Sequence, residues 1–182
     1  MHIYLETDRL TLRRFTETDA DDLVALNNDP DVMRYLNGGK ATPREVIVGE
    51  ILPAFISGGH FFAAVERETG EFLGWFHLRP SKDGAEDEPE LGYRLRTSCW
   101  GKGYATEGSL ALIDKAFAEL GARRVFAQTM AVNRGSRRVM EKCGLRFVRT
   151  FFQDWPDAID GSDQGEVEYE LLRSDWAARL KR

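Results

Sequence analysis

The chain has 182 residues, which is enough for one domain with a sizeable hydrophobic core. Its composition, 42% hydrophobic and 30% charged, is typical of globular proteins. The formal net charge of -5 argues against a nucleic-acid-binding surface, because contacts with phosphate backbones need clustered excess Lys and Arg. No apolar run approaches the roughly 20 residues of a membrane-spanning helix, and the N-terminal segment lacks a signal-peptide core, so we expect a cytoplasmic protein without membrane contact.

The first 59 residues predict one strand followed by helices. Residues 9–15 alternate apolar and polar side chains, which is typical of a half-buried strand. A helix is then predicted to start near Thr18 and Asp19 and to stop at Pro30. A second helix should begin at Pro43 with Thr42 as its N-cap, and the glycines at 58 and 59 should end it. Pro53 would kink or divide that helix.

The rest of the chain predicts mostly strands. Residues 60–66 and 71–78 flank a turn, and residues 90–96 alternate as a further strand. The pattern then predicts a helix up to Gly121, a strand over 123–132, a helix over 134–143 and a strand pair over 145–152 and 166–173. The predicted fold class is α/β (α+β mixed): one domain over residues 1–182, with a mixed, mostly antiparallel sheet of about seven strands and helices on both faces.

The stretch "TSCWGKGYATEGS", residues 97–109, places Gly101 and Gly103 directly ahead of a predicted helix. Glycine near a helix start is costly unless something must approach the backbone. Free N–H groups at a helix N-terminus suit a phosphate. A P-loop is excluded because no Lys-Ser/Thr pair follows the second glycine, and a dinucleotide fingerprint fits poorly because Thr106 holds its third glycine position.

"WGKGYA" resembles the coenzyme A pyrophosphate loop of the GNAT acyltransferases, Gln/Arg-x-x-Gly-x-Gly/Ala, with Gly103 and Ala105 matching and Trp100 replacing Gln/Arg. "WGKGYATE" looks like the ribosomal-protein N-terminal acetyltransferase (RimJ/RimL) type. The segments "LETDRLTLRRFTETDADDL", "NRGSRRVMEKCGLRF" and "YELLRSDW" are similar to the same branch, so the resemblance spans residues 5–176. It implies an N-acetyltransferase that moves an acetyl group from acetyl-CoA directly to a primary amine within a ternary complex.

The resemblance also implies a cofactor site. Backbone N–H groups of the loop would hold the pyrophosphate, and these belong to Gly101, Lys102, Gly103, Tyr104, Ala105 and Thr106. The strand edge at Tyr93, Arg94 and Leu95 would pair with the pantetheine arm, in a sheet whose central strand pair splays apart. Asn133 would contact the far side of that arm. Lys102, Arg137 and Arg138 would either reach the adenosine phosphates or remain solvated.

Acyl transfer to an amine needs a proton acceptor and a proton donor. Many family members use a Tyr seven residues after the Asn as the donor, but that position is Met140, which we expect to fill the core. Ser136 is the proposed substitute in this branch, although a serine in a first helical turn is also a common capping residue. The usual base position corresponds to Gln128, so Glu90 is the better candidate base, with a solvated carboxylate as the alternative.

The cysteines and histidines predict no metal site. Cys99 and Cys143 lie far apart and should be reduced, buried side chains, and His60 and His77 have no ligand spacing. Cys99 adjoins the loop, but no His lies nearby in sequence to activate it as a nucleophile.

The acceptor amine remains open at this stage. It could be a protein N-terminus, a small metabolite or an antibiotic. The helices between Thr18 and Gly59 and the loop over 155–166 should wall the acceptor site, and acidic residues in or next to them, including Asp154, Asp157 and Asp160, would favour a cationic acceptor. A homodimer is left open. The alternatives are a transferase of longer acyl groups such as succinyl, and a non-catalytic acyl-CoA-binding module.

Overall fold

The computed structural model describes residues 1–83 and 85–181. The chain divides into two compact units, one formed by Met1–His77 with Tyr93–Gly108 and the other by Leu78–Gly92 with the chain from Ser109 onward. Among the described residues no helix is both long and apolar enough to span a bilayer. The eight strands form one sheet in the order β1-β2-β3-β4-β5-β6-β8-β7. The predicted domain limits, 1–182, stay a prediction.

The first unit begins with antiparallel strands that pair in sequence order. These are β1 (Ile3–Glu6), β2 (Leu10–Arg14), β3 (Phe61–Glu66) and β4 (Phe72–Arg79), the last of which continues into the second unit. Between β2 and β3 lie the helices α1 (Ala20–Asn27), α2 (Pro30–Asn37), α3 (Arg44–Val46) and α4 (Leu52–Gly58). Their apolar faces bury a core that includes Phe15, Leu23, Ile47 and Trp75.

The start of the helical region agrees with its prediction, because Asp19 is the N-cap of α1. A 3-10 turn over Glu17–Asp19, which was not predicted, precedes the helix with Thr16 as its own N-cap. The backbone N–H of Thr16 donates to the Asp19 carboxylate at 2.9 Å. Arg13 also donates to both oxygens of Asp19, at 2.9 and 2.7 Å. Burial alone would raise the pKa of Asp19, but the hydrogen bonds from Arg13 and Thr16 outweigh it and leave the pKa below its ordinary value.

The second predicted helix starts one residue later than its sequence predicted, because Pro43, not Thr42, is the N-cap of α3. The expected effect of Pro53 appears one turn earlier, as a π-helical turn over Ile47–Ile51 between α3 and α4. Proline has no N–H to donate, and a widened turn before it is a known way to accommodate this loss. Gly59 ends α4 in the left-handed conformation with φ 68°, as predicted.

The second unit contains the end of the sheet and the C-terminal helices. Its elements are the first half of β5 (Glu90–Leu95), the greater part of α5 (Tyr104–Ala118), β6 (Arg124–Met130), α6 (Arg134–Lys142), β7 (Arg146–Phe151), β8 (Glu166–Leu172) and α7 (Arg173–Arg179). Strands β6, β8 and β7 pair antiparallel, whereas β5 and β6 are parallel, with Glu90 opposite Phe126. The predicted splay of these two strands beyond that pair stays a prediction.

The mixed, mostly antiparallel sheet agrees with the predicted fold class, with eight strands instead of about seven. The extra strand is β1, whose four residues are too short to give a periodic signal and which forms by pairing with β2. The helix α7 was also not predicted.

Gly74 in β4 allows an unusually close backbone approach between β4 and β5. Its φ is 142°, and a Cβ at this position would overlap the carbonyl oxygen of Arg94 and lie 2.7 Å from the Cα of Leu95. Backbone atoms cannot turn aside as a side chain can. Only glycine therefore fits at this position.

We expect Gly74→Ala to destabilise the protein by about 3 kcal/mol or more, because the new methyl group meets backbone atoms of β5 in a conformation that L-residues avoid. Urea denaturation measures the loss. The matched control is Gly49→Ala in the π-helical turn, where a Cβ would meet no atom within 4 Å and stability should change by about 1 kcal/mol or less. Equal effects of the two substitutions would contradict the close approach at Gly74.

Candidate functional site

The glycine-rich loop lies in the first unit, between the end of β5 and the start of α5. A 3-10 turn over Thr97–Cys99 follows the strand, and α5 begins at Tyr104. Gly101 and Gly103 both have left-handed backbones, with φ 72° and 85°. The glycines are therefore required by the turn itself, in addition to any ligand.

The loop leaves room for a ligand beside Gly101 and Gly103, as predicted from the two glycines. A Cβ on Gly101 would meet no atom within 4 Å, and one on Gly103 would meet only the end of the Arg9 side chain, at 3.3 Å. The carbonyl of Gly103 accepts from the N–H of Glu107 at 3.0 Å, so the N–H groups of residues 104–106 come before this bond and have no acceptor inside the helix. An open glycine backbone beside such groups fits the pyrophosphate of coenzyme A.

Glu107 in the first turn of α5 fastens the loop to the N-terminal segment. Its carboxylate accepts from the Thr7 hydroxyl at 2.6 Å, from the backbone N–H of Arg9 at 2.9 Å and from Arg9 Nε at 2.7 Å. Arg9 Nη1 also donates to the carbonyl of Lys102 at 2.9 Å. Burial alone would raise the pKa of Glu107, but these hydrogen bonds outweigh it and lower the pKa. The segments "LETDRL" and "WGKGYATE" thus form one structure, a connection that sequence reasoning missed.

Trp100 closes the other side of the loop. Its indole Nε1 donates to the carbonyl of Leu95 at 3.0 Å, while half of its surface stays exposed. The backbone N–H of Arg96 donates to the carbonyl of Leu73 in β4 at 2.8 Å. Because the backbone groups of successive strand residues point to alternate edges, the backbone groups of Arg94 face β4 as well. Tyr93 and Leu95 direct their backbone groups to the opposite edge. Of the three predicted pantetheine partners, these two therefore have the suitable orientation.

Tyr104 contributes backbone rather than side chain to the loop. Its ring is buried, and its hydroxyl donates to Glu66 in β3. This hydrogen bond raises the pKa of Tyr104 and lowers that of Glu66. The guanidinium of Arg9 lies over the ring, 4.2 Å from its centroid.

Asn133 and Ser136 lie in the second unit, at the start of α6. Asn133 is the N-cap, and its Oδ1 accepts from the backbone N–H of Ser136 at 3.2 Å. Arg137 donates to the carbonyl of Ala131 at 2.9 Å and to the Tyr169 hydroxyl at 3.1 Å, so its guanidinium is engaged in holding α6 rather than exposed to a phosphate. Met140 is buried, as predicted.

Glu90 forms an ion pair in the second unit. Its Oε2 accepts from Arg79 Nη2 at 2.8 Å and from Arg79 Nε at 2.9 Å. The carboxylate is only slightly exposed, so it is neither the fully solvated group of the alternative interpretation nor without a counter-charge. Gln128, at the usual base position, donates to Glu168 at 2.7 Å.

Two buried carboxylates on β8 escaped sequence reasoning. Glu166 and Glu168 are both less than 10% exposed, whereas alternation in "EVEYELL" would predict a solvated acidic face. Burial raises the pKa of Glu166 and the charge of Glu90 raises it further, with a hydrogen bond from Gln153 opposing them. Burial acts on Glu168 too, but hydrogen bonds from Gln128, Arg149 and Arg124 outweigh it and lower its pKa.

Both cysteines are free and buried, as predicted. Burial raises the pKa of Cys99 and raises that of Cys143 to about 12, so both thiols stay protonated at neutral pH and Cys99 is a poor nucleophile. His77 is packed among aromatic rings and His60 is exposed. Within residues 1–83 and 85–181, no three His, Cys, Asp or Glu side chains group as a metal site would require.

Comparisons with known proteins agree with this geometry. The family model described as "Acetyltransferase (GNAT) domain" matches residues 9–146. The FsC-acetyl coenzyme A-N(2)-transacetylase of Aspergillus fumigatus is 35% identical, over 97% of this chain and 79% of its own length. A GNAT-family acetyltransferase from Bacillus anthracis superposes with a TM-score of 0.80 at 25% identity, over 96% of this chain and 99% of the other.

The chain belongs to the GNAT acetyltransferase family. It is an acetyl-CoA-dependent N-acetyltransferase, which decides against the non-catalytic binding module.

The buried carboxylates of β8 predict opposite pH effects on stability. The raised pKa of Glu166 means that folding stability falls as pH rises from the ordinary glutamate value, about 4.3, through the higher folded value. Glu166→Gln should therefore raise the urea midpoint at pH 7, with the difference closing below about pH 4. Glu168→Gln, two residues away, is the control: its lowered pKa predicts a lower midpoint at pH 7 that approaches wild type in acid. Shifts of the same sign would contradict the assignment.

Proposed function

We propose that this enzyme acetylates the primary amine of a small molecule, with the loop of residues 101–106 holding the pyrophosphate of acetyl-CoA. The observation that carries the proposal is the pair of left-handed glycines at the start of α5, one of them open on the side where its Cβ would be. Glu107 and Arg9 hold this loop in place from behind. A preformed anion site of this kind lowers the entropic cost of binding.

Acetyl-CoA, when bound, supplies the acetyl thioester that the amine attacks. The backbone N–H groups of Gly101, Lys102, Gly103, Tyr104, Ala105 and Thr106 are proposed to bind its phosphates. The backbone edge of β5 at Tyr93 and Leu95 is proposed to pair with the pantetheine arm, and Asn133 to contact it through the part of its side chain not used in capping. The backbone of Arg94 faces β4, so any contact of Arg94 with a ligand is proposed to come from its side chain.

Glu90 and Ser136 are the proposed proton acceptor and donor. The Arg79 side chain holds the Glu90 carboxylate in place, and this carboxylate is proposed to accept the proton that an ammonium group must lose before it becomes a nucleophile. Ser136 Oγ is proposed to deliver a proton at the end of transfer. Its backbone N–H, not its hydroxyl, takes part in the cap by Asn133, so the hydroxyl group is dispensable for that cap.

The acceptor is proposed to be a small amine rather than a protein N-terminus. The support is the relative at 35% identity, whose name describes transfer to an N(2) position. The exposed acidic side chains of Asp154, Asp157 and Asp160 favour an acceptor with positive charge, as an amine has at neutral pH. Membership of the RimJ/RimL-type branch and a cytoplasmic location remain part of this proposal.

We expect Gly103→Val to abolish coenzyme A binding, measured by isothermal titration calorimetry. The side chain would occupy the backbone surface on which the phosphates lie, in a conformation that valine avoids. Gly121→Val is a matched control, because Gly121 has a similar φ of 72° and no atom within 4 Å of its Cβ, but follows the other end of α5. Both variants should lose similar thermal stability, and only the first should lose affinity. Retained affinity in Gly103→Val would overturn the loop assignment.

Ser136→Ala should lower kcat by about 100- to 10,000-fold, the range for loss of a general acid, with unchanged KM for acetyl-CoA. The helix cap by Asn133 survives the substitution, because it uses the backbone N–H of Ser136. Steady-state release of coenzyme A thiol, measured with an amine panel that includes spermidine and phenylalaninamide, gives both constants. An unchanged kcat would assign Ser136 to helix structure alone.

A further inference from the structure

Arg94 extends its side chain from β5 into the interior of the first unit. Its Nη1 donates to Oδ1 of Asn27 in α1 at 2.6 Å, and the guanidinium lies over the ring of Trp75, 4.9 Å from the ring centroid. Asn27 is 1% exposed and Trp75 6% exposed, so the head of the side chain is held among buried groups. The arginine itself is only partly buried. It is therefore fixed in position and still reachable from outside.

This guanidinium has no counter-ion among the described residues. Its neighbours of the same type do: Arg13 pairs with Asp19 at 2.7 Å, and Arg96 pairs with Asp22 at 2.7 Å. Arg94 instead meets a neutral amide and an aromatic face. A charge removed from water without an opposite charge is costly, and it persists where function requires it.

The hydrogen-bonding capacity of Arg94 is also incomplete. Its Nε is enclosed and has no acceptor, and the neighbouring Trp75 Nε1 is in the same state. The other terminal nitrogen, Nη2, has no hydrogen bond to a described residue and is not enclosed. Burial lowers the pKa of Arg94 to about 10, which still leaves it charged at neutral pH. The group is thus a cation with an unused, accessible donor.

We propose that Arg94 binds the carboxylate of the acceptor, so that the natural substrate is an amine that also carries a carboxylate group. This inference rests on the proposed function, because it deepens the description of the same site. The Arg94 side chain would then determine which acceptors the enzyme prefers, while the Arg94 backbone forms part of β5. The sequence resemblance suggested only the backbone role.

A monoanion fits the surroundings better than a phosphate does. The described contacts of the Arg94 guanidinium are Asn27 and Trp75, neither of which is basic. The single positive charge of Arg94 balances one negative charge, whereas a phosphate dianion would leave a net negative charge beside aromatic rings. Two of those rings, Phe55 and Phe61, stack in parallel with their centroids 3.9 Å apart, and both meet the Trp75 ring edge-on. Both phenylalanines are partly exposed. They could cover an apolar or aromatic part of the same acceptor.

The test uses acceptors that differ only in the charged group. L-phenylalanine and L-phenylalaninamide share the amine and the ring, and they are compared as acceptors of wild type, Arg94→Met and Arg94→Lys. Because the two amines differ in basicity, the quantity measured is the change in the ratio of their kcat/KM values on substitution. Arg94→Met keeps an unbranched apolar stem of the same width and removes the guanidinium. Arg96→Gln is the matched control, since Arg96 is an arginine near the same strand end but already paired.

We expect Arg94→Met to lower kcat/KM for phenylalanine by about 10- to 100-fold, mainly through KM, and to change that for phenylalaninamide by about threefold or less. Arg94→Lys should restore part of the loss, and Arg96→Gln should leave the ratio unchanged. An equal loss for both acceptors would show a structural role for Arg94 and overturn the proposal. A third arm compares succinyl-CoA with acetyl-CoA: selective loss of succinyl transfer would place the carboxylate on the acyl donor and overturn the assignment to the acceptor.

A binding measurement separates this inference from the proposed function. In thermal shift assays, 3-phenylpropionate should stabilise wild type and Arg96→Gln but not Arg94→Met, and 3-phenylpropanamide should stabilise none of them. This result would support the carboxylate site even if no amine in the panel were acetylated, an outcome that would count against the proposed function alone. Equal stabilisation of wild type and Arg94→Met by the acid, or none of either, would overturn the site.

Discussion

The carboxylate of Glu107 is the group on which the candidate cofactor loop depends. It lies in the first turn of α5 and accepts hydrogen bonds from a hydroxyl, a backbone N–H and a guanidinium of the N-terminal segment. The ion pair alone is weak evidence of stability, since Arg9 is 43% exposed and such pairs contribute about 0–1 kcal/mol. The bond from the Thr7 hydroxyl is partly buried, and hydrogen bonds to charged groups are worth about 1.5–3 kcal/mol each. The hydrogen bonds therefore contribute more to the attachment than the ion pair does.

This attachment explains why the loop can keep an open glycine backbone. Glycines lose more conformational entropy on ordering than other residues do, so a loop with Gly101 and Gly103 needs external contacts to stay in one shape. Arg9 supplies one by donating to the carbonyl of Lys102 between the two glycines, and Trp100 supplies another through Leu95. Both contacts are made by a side chain to a backbone carbonyl. They therefore hold the loop without using the backbone N–H groups that a phosphate needs.

Much of this fold could be predicted from the sequence, because its signals are local. The alternation of residues 9–15 and 90–96 and the capping residue Asn133 each report on their own neighbourhood. The missed strand has a non-local cause, because β1 exists only by pairing with β2. The loop and its family could likewise be recognised, but the clamp through Glu107 joins residues about one hundred positions apart, which periodicity cannot show.

In the candidate site, the sequence indicates which charged residues lie on strands, but it does not indicate which of them form ion pairs. The strand position of Glu90 favoured it as the candidate base, whereas the burial of Glu166 and Glu168 was not predicted. The structure adds the partners: Arg79 for Glu90, and Arg124 with Arg149 for Glu168. Against this background of paired charges, Arg94 differs, since its contacts are an amide and an indole. A buried charge that the fold does not neutralise is best explained by a ligand that does, and in an acetyltransferase the molecules available for this are its own substrates.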